Sequence, residues 1–260
     1  MNKEKTLGEI VEQEEKFWSD TFKKELEKNE FGSFSSYWWE RYYNEIVAFV
    51  HGIVDVNSTE ILEAGSGSGK ASILLSQNSR RVLLDISKNA LLYARHLSEK
   101  FNTNNIEFIE GNIFNLPFKP NSFDFVWNIG VIEHYNESDA VAALREMIRV
   151  TKNGGTVAVG VPNFSSGPIM KARILKNPFL KFVSGYRLES ERNYEKNLLM
   201  DLFGKACKLE GKSFNEIRIN YFGNPLPMET PKFIIKIFGN LLEKIFIKNK
   251  FLLFISFEIK

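Results

Sequence analysis

Short apolar runs recur along the first two thirds of the chain, and segments with helical spacing lie between most of them. The runs predict strands at 59–64, 80–85, 105–109, 122–128 and 155–161. The segments at 69–77, 87–100 and 137–150 predict helices, the last ending at a Gly154-Gly155 turn into the fifth strand. Strand and helix alternating at this interval imply an α/β domain with a parallel sheet. Ahead of it, Ile10, Val11, Phe17, Trp18, Phe22 and Leu26 recur at helical spacing within residues 1–30. Gly32-Ser33-Phe34-Ser35-Ser36 breaks that segment, and a second helix is expected over Tyr37–Val54, with Tyr37, Trp38, Trp39, Tyr42 and Tyr43. Behind it, Pro162, Pro168 and Pro178 punctuate residues 162–200, which read as an insertion or lid. A helix at 193–209, a strand at 213–222, a helical stretch at 231–249 and a strand at 251–259 complete the chain. The organisation is therefore a helical extension (1–54), a core (55–161), and an insertion plus the remainder of the same sheet (162–260).

Between the first strand and the first core helix stands Leu62-Glu63-Ala64-Gly65-Ser66-Gly67-Ser68-Gly69-Lys70. Glycine accepts positive φ and lets a ligand approach the backbone. A strand that turns into a helix here is expected to present free N–H groups at the helix N-terminus. The second strand ends in Asp85, which can accept from a ribose diol. A P-loop would need glycine at position 64 and Ser or Thr at position 71, and both hold alanine. A dinucleotide fingerprint counted from Gly65 finds Lys70 at its third glycine position. The pattern acid-x-G-x-G-x-G is met in full, with Glu63 as the acid. A Gly/Ser turn without a ligand is the plain alternative.

Composition narrows the classes. A chain of 260 residues with 43% hydrophobic content supports a real core. A net charge of +2 argues against bulk nucleic acid as a partner. The single Cys207 excludes an internal disulfide framework, and no His/Asp/Glu spacing suggests a metal site. Met1–Glu15 lacks an apolar signal core and no long uncharged apolar run occurs, so a cytoplasmic location is the expectation. Twenty-three phenylalanines, twelve of them after residue 130, serve as core or as an apolar substrate chamber. Residues 231–249 set Lys232, Lys236, Lys244 and Lys248 against Glu243, and read either as core or lid packing or as weak contact with a membrane surface.

Glu63 with the three glycines, Asp85, the Asn112-Ile113 pair before Leu116-Pro117-Phe118, the run Ser122–Asn128 and Arg149-Val150-x-Lys152-x-Gly154-Gly155 together resemble class I S-adenosylmethionine-dependent methyltransferases. The resemblance covers roughly 55–161 motif by motif. It implies an α/β, Rossmann-like seven-stranded sheet of order 3-2-1-4-5-7-6, the last strand antiparallel, with N-terminal helices and a lid insertion. It implies S-adenosyl-L-methionine as cofactor, its methionine end held by Glu63, Ala64, Gly65 and Gly67. The ribose would lie at Asp85 and Ile86, the adenine at Asn112 and Ile113, and the sulfonium over the backbone of Asn128 and Ile129. Tyr37 or Trp39 would close over the cofactor. In some small-molecule O-methyltransferases of this family a His at the place of His134 is the base, and histidine as a type suits that work. A small or lipid-like acceptor methylated on oxygen is the resulting expectation. A nicotinamide-dependent oxidoreductase and a non-catalytic S-adenosylmethionine-binding protein are the alternatives.

Overall fold

The computed structural model describes residues 6–28, 36–55, 59–75, 78–180, 183, 185–188 and 190–260. The break expected at 32–36 lies outside them except for Ser36, as does the end of the helix expected at 69–77. Seven strands form one sheet: β1 (Glu60–Ala64), β2 (Arg80–Asp85), β3 (Ile106–Glu110), β4 (Phe123–Ile129), β5 (Thr151–Pro162), β6 (Phe214–Phe222) and β7 (Leu252–Ile259). Their order is β3-β2-β1-β4-β5-β7-β6. β7 runs antiparallel to both its neighbours, and the pairs among β1–β5 are parallel. Order and polarity are those the resemblance implies.

Helices cover both faces: α1 (Leu7–Lys28), α2 (Tyr37–Ile53), α3 (Lys70–Ile73), α4 (Lys88–Lys100), α5 (Glu137–Val150), α6 (Gly167–Leu175) and α7 (Lys196–Leu209). Strand alternation divides the core. Leu62, Val82, Val126, Val157, Ile255 and Phe257 pack under α5 and α7. Ile61, Phe125, Trp127, Ala158 and Phe254 face α2 and α6, while Leu83 meets α1 and α4. Asn89 Nδ2 donates to the Ser19 carbonyl and hydroxyl at 3.1 and 2.9 Å, which pins α1 across α4. Ser87 and Asn136 cap α4 and α5 by accepting from Ala90 N and Asp139 N. Each such cap stabilises its helix by about 1 kcal/mol.

Two expectations are corrected, and one is filled in. α3 is a single turn, and its end has a chemical reason. Arg81, wholly buried inside an apolar run, turns its guanidinium onto the carbonyls of Ser72, Ile73 and Leu75. It satisfies the orphan acceptors of a helix that goes no further. β5 begins at Thr151, directly after α5, so Gly154-Gly155 does not stop the helix. Phe123 pairs with Thr151 but Phe125 with Thr156, and the extra residues bulge through Gly154 at φ +80°. Finally, the insertion read at 162–200 holds α6 and a 3₁₀ turn at Pro178–Leu180 before α7 begins at Lys196.

Candidate functional site

At the C-terminal ends of β1 and β2 the glycine loop folds back on the sheet. Gly65 and Ser66 N–H both donate to the Leu84 carbonyl, at 2.7 and 2.9 Å. Gly67 N–H donates to Asp85 Oδ2 and Ser87 N–H to Asp85 Oδ1, each at 2.8 Å. Gly65 sits at φ +79°, and a Cβ there would meet Val131 Cγ2 at 2.8 Å, so this position needs glycine on two grounds. The amides of Gly65, Ser66 and Gly67 are engaged within the protein. The free N–H cradle expected from the sequence is therefore not formed by these residues, and with one-turn α3 behind it the loop is a poor phosphate site.

A cavity opens above this loop. Its walls come from α1 (Glu14, Trp18, Phe22), α2 (Trp39, Tyr42, Tyr43), the strand ends (Glu63, Asp85, Ile129) and the turn after β4 (Glu133, His134). Tyr186 and Glu191, ahead of α7, and Phe251, beside β7, line it as well. One end is polar. Ser72 donates to Glu63 through its hydroxyl and its backbone N–H, and Trp127 Nε1 donates to Ser72 Oγ at 3.1 Å. Even so, Glu63 Oε2, Glu133 Oε2 and Ser66 Oγ are buried with no hydrogen-bond partner among the described residues. Burial pushes the carboxyls of Glu63 and Glu133 up to about 8 each. Burial also raises Asp85, against the pull of the Ser87 and Gly67 N–H groups. The other end is aromatic. Trp39, Tyr42 and Tyr186 surround Phe251 with ring centroids 6.2, 5.8 and 5.9 Å away.

His134 lines the same cavity, 7% exposed, with its ring 6.0 Å from that of Trp18. Its Nδ1 is 2.6 Å from Ser190 Oγ, and Ser190 Oγ donates to Glu14 Oε1 at 2.8 Å. A hydroxyl has one proton. With that proton on Glu14, Ser190 can only accept from His134, which places the imidazole proton on Nδ1 and the lone pair on Nε2. Glu14 is itself nine-tenths buried, on the inner face of α1.

The structure brings Trp39, Glu63, Gly65, Gly67, Asp85, Ile86, Asn112, Ile113, Ile129 and His134 to one cavity. Asn112 also serves its turn, Oδ1 accepting from Phe114 N at 2.9 Å. Tyr37, Ala64 and Asn128 are not among the cavity walls. Tyr37 points away because two residues along a helix is more than half a turn from Trp39. It lies instead beneath Lys232 Nζ at 5.0 Å. Ala64 faces the α5 side of the sheet. Asn128 alternates with Ile129 and directs its amide to Met147 Sδ at 3.4 Å. Glu14, Glu133 and Ser190 were not expected. Glu14 did leave a signal, as a carboxylate four residues after Ile10 and four before Trp18 on an apolar stripe.

A family model described as "Methyltransferase domain" matches residues 61–155, the stretch that builds the polar end of the cavity. Residues 61–155 of the chain thus match a methyltransferase domain. Curated relatives agree with that family. A demethylmenaquinone methyltransferase of Oceanobacillus iheyensis is 39% identical over 37% of this chain and 41% of its own length. One from Lactococcus lactis is 33% identical over 58% of this chain and 66% of its own length. The chain thus spans about two fifths of the length of the first curated relatives it matches. Solved structures share the fold over nearly the whole chain. A Thermotoga maritima protein described as a possible histamine N-methyltransferase has TM-score 0.60 at 20% identity, covering 93% of this chain and 99% of that one. Magnesium protoporphyrin IX methyltransferase from Synechocystis, with S-adenosylhomocysteine bound, has TM-score 0.62 at 13% identity, covering 95% and 98%. These likenesses show the fold.

The site fits the methyltransferase cofactor. Partnerless buried carboxyl oxygens suit a ligand carrying a sulfonium and an ammonium group. Asp85 has lone pairs left on both oxygens for a diol. Ile113 and the Asn112 amide flank it as an adenine seat would require. Among the described residues no group of three His, Cys, Asp or Glu side chains could hold a metal ion.

Proposed function

We propose that this chain methylates a small, lipid-like acceptor on oxygen, with His134 as the base. The observation that carries the reading is the Glu14–Ser190–His134 chain, which engages Nδ1 and leaves the Nε2 lone pair of a cavity-lining histidine for the acceptor. S-adenosylmethionine supplies an electrophilic methyl group on a positively charged sulfur. Glu63, with the Gly65–Gly67 loop, holds its methionine end, Asp85 its ribose, and Asn112 with Ile113 its adenine. Trp39, Tyr42, Tyr186 and Phe251 hold an apolar ring or chain of the acceptor and exclude water. His134 Nε2 would take the acceptor hydroxyl proton as the oxygen–methyl bond forms, the sulfur–methyl bond breaks and S-adenosylhomocysteine leaves. Ser190 and Glu14 hold the ring and stabilise the imidazolium. The relatives named for demethylmenaquinone support an acceptor with a lipid-like body.

The nicotinamide alternative is disfavoured because a pyrophosphate would need the loop amides that Leu84 and Asp85 already occupy. A binding protein without turnover would have no use for an oriented histidine. The likeness to a structure named a [4+2]-cyclase, TM-score 0.59 at 13% identity over 87% of this chain and 83% of that one, is a reason to test the reaction directly. The purified protein is assayed with labelled S-adenosylmethionine against phenols and quinols with isoprenoid tails. His134→Ala should lose about 10²–10⁴-fold in turnover, keep its affinity for S-adenosylhomocysteine, and lose the acid limb of the pH–rate profile. Normal turnover by His134→Ala overturns the base assignment.

A further inference from the structure

Residues 232–249 form a broken helix: one turn at Lys232–Ile234, a π-helical stretch at Ile235–Gly239, a helix at Asn240–Ile245 and a 3₁₀ turn at Ile247–Asn249. Its apolar side faces the wrong way for core packing. Ile235 and Gly239 are buried, but Phe233, Ile237, Phe238, Leu241 and Ile245 are each more than half exposed. The only acid of the segment, Glu243, turns inward, where it pairs with Arg41 at 2.7 Å and accepts from Asn224 Nδ2 at 2.6 Å. Lys232, Lys236, Lys244 and Lys248 all remain exposed.

The neighbouring α6 repeats the pattern. Met170, Ile174 and Phe179 are exposed, Arg173 and Lys176 stand beside them, and residues 167–180 contain no acid. The two segments are held together. Asn249 Nδ2 donates to the Ser165 carbonyl and Asn163 Nδ2 to that of Lys248, both at 2.8 Å, and Ile169 and Ala172 share one core with Ile235.

We propose that this combined face docks on a bilayer bearing anionic headgroups. Exposed Phe, Ile and Leu interspersed with lysines match a surface that is apolar at depth and negative at its rim. A second copy of the same face would set lysine against lysine. Among the described residues no helix is long and apolar enough to cross a membrane, so the segment would lie on one. Phe251 and Tyr186, at the aromatic end of the cavity, pack in the same core as Ile235 and Ile169. The buried side of the docking face and that end of the cavity therefore belong to one hydrophobic core. The proposal does not depend on the reaction above.

The test is co-sedimentation of the full chain with vesicles of phosphatidylcholine alone and of equal parts phosphatidylcholine and phosphatidylglycerol. Binding is expected to the anionic vesicles and to weaken as salt rises from about 0.1 to about 1 M. Lys244→Gln and Lys248→Gln should each lower the partition coefficient about fivefold. Phe233→Ser with Ile237→Ser and Leu241→Ser should abolish binding. Both sets should keep the melting temperature and the affinity for S-adenosylhomocysteine, since the residues are exposed and outside the cavity. Absence of binding to anionic vesicles overturns the proposal, as does equal binding to neutral ones. A dimer in solution that the serine variants convert to monomer also overturns it, in favour of a second copy.

Discussion

The two ends of the cavity draw on the chain in different ways. The polar end comes chiefly from the C-terminal tips of three adjacent strands, β1 to β3, between Glu63 and Ile113, with Glu133 added from the turn after β4. The aromatic end and its histidine draw on α1, α2, the turn after β4, the segment around Ser190, and Phe251 beside β7. The first is fixed by local geometry, since a parallel strand and the loop after it always deliver their residues to the same edge of the sheet. The second exists only once the N-terminal helices have packed against loop segments from far along the chain. One kind of site is written in consecutive residues, and the other in the way surfaces meet.

Asp85→Ala should give the largest effect on cofactor affinity, because one carboxylate ties down the glycine loop and, in the proposed complex, the ribose. Its oxygens hold the Gly67 and Ser87 amides. Charged hydrogen bonds of this kind contribute about 1.5–3 kcal/mol each, so affinity for S-adenosylhomocysteine should fall by about 10²-fold or more. Titration calorimetry reads this directly. Unchanged affinity in a folded Asp85→Ala protein would mean that the polar end is not where the cofactor binds.

The aromatic end is tested by Ser190→Ala. This change leaves His134 in place but removes the acceptor that holds its Nδ1 proton and the link to Glu14. Turnover should drop about tenfold with cofactor affinity intact. Glu14→Gln should behave alike, because it keeps the shape and loses the charge that stabilises the imidazolium. A loss of cofactor affinity equal to the loss of turnover would instead make the chain a structural tie between α1 and the cavity.

How much could be read beforehand follows the same division. Strand positions, the glycine loop, Asp85 and the Asn112-Ile113 pair were legible, since each rests on neighbours in sequence, whereas the sheet order came only with the family resemblance. The loop's chemistry was less so. That its amides point at Leu84 and Asp85 depends on how β1 meets β2. Arg81 looked like a charged start to an apolar strand, and its burial against the end of α3 is a tertiary fact. Tyr37 and Trp39 were equal candidates by type, and only the packing angle of α2 separates them. Glu14 was visible as an anomaly on an apolar stripe, yet its partner is far away in the chain.

The smallest effect concerns charge. Glu63 and Glu133 have carboxyls raised by burial from 4.5 to about 8. Without ligand both are largely protonated at neutral pH. A cationic ligand favours their ionised forms, so binding should release protons and affinity should rise as pH goes from about 6.5 to about 9. S-adenosylmethionine, which carries the sulfonium charge, should show the steeper rise, and S-adenosylhomocysteine the shallower one. For stability the sign is opposite. A carboxyl whose folded value lies above its unfolded one favours the folded state fully below 4.5, and that contribution is lost as pH rises through about 8. The ligand-free melting temperature should therefore decline across that window, and Glu63→Gln, which never ionises, should flatten the decline and the pH dependence of binding together. The readouts are calorimetry in buffers of differing ionisation enthalpy and thermal melts across the window. Identical pH slopes for both ligands and for Glu63→Gln would mean that the buried carboxyls do not face the sulfonium, and the polar end would then need a different orientation of cofactor.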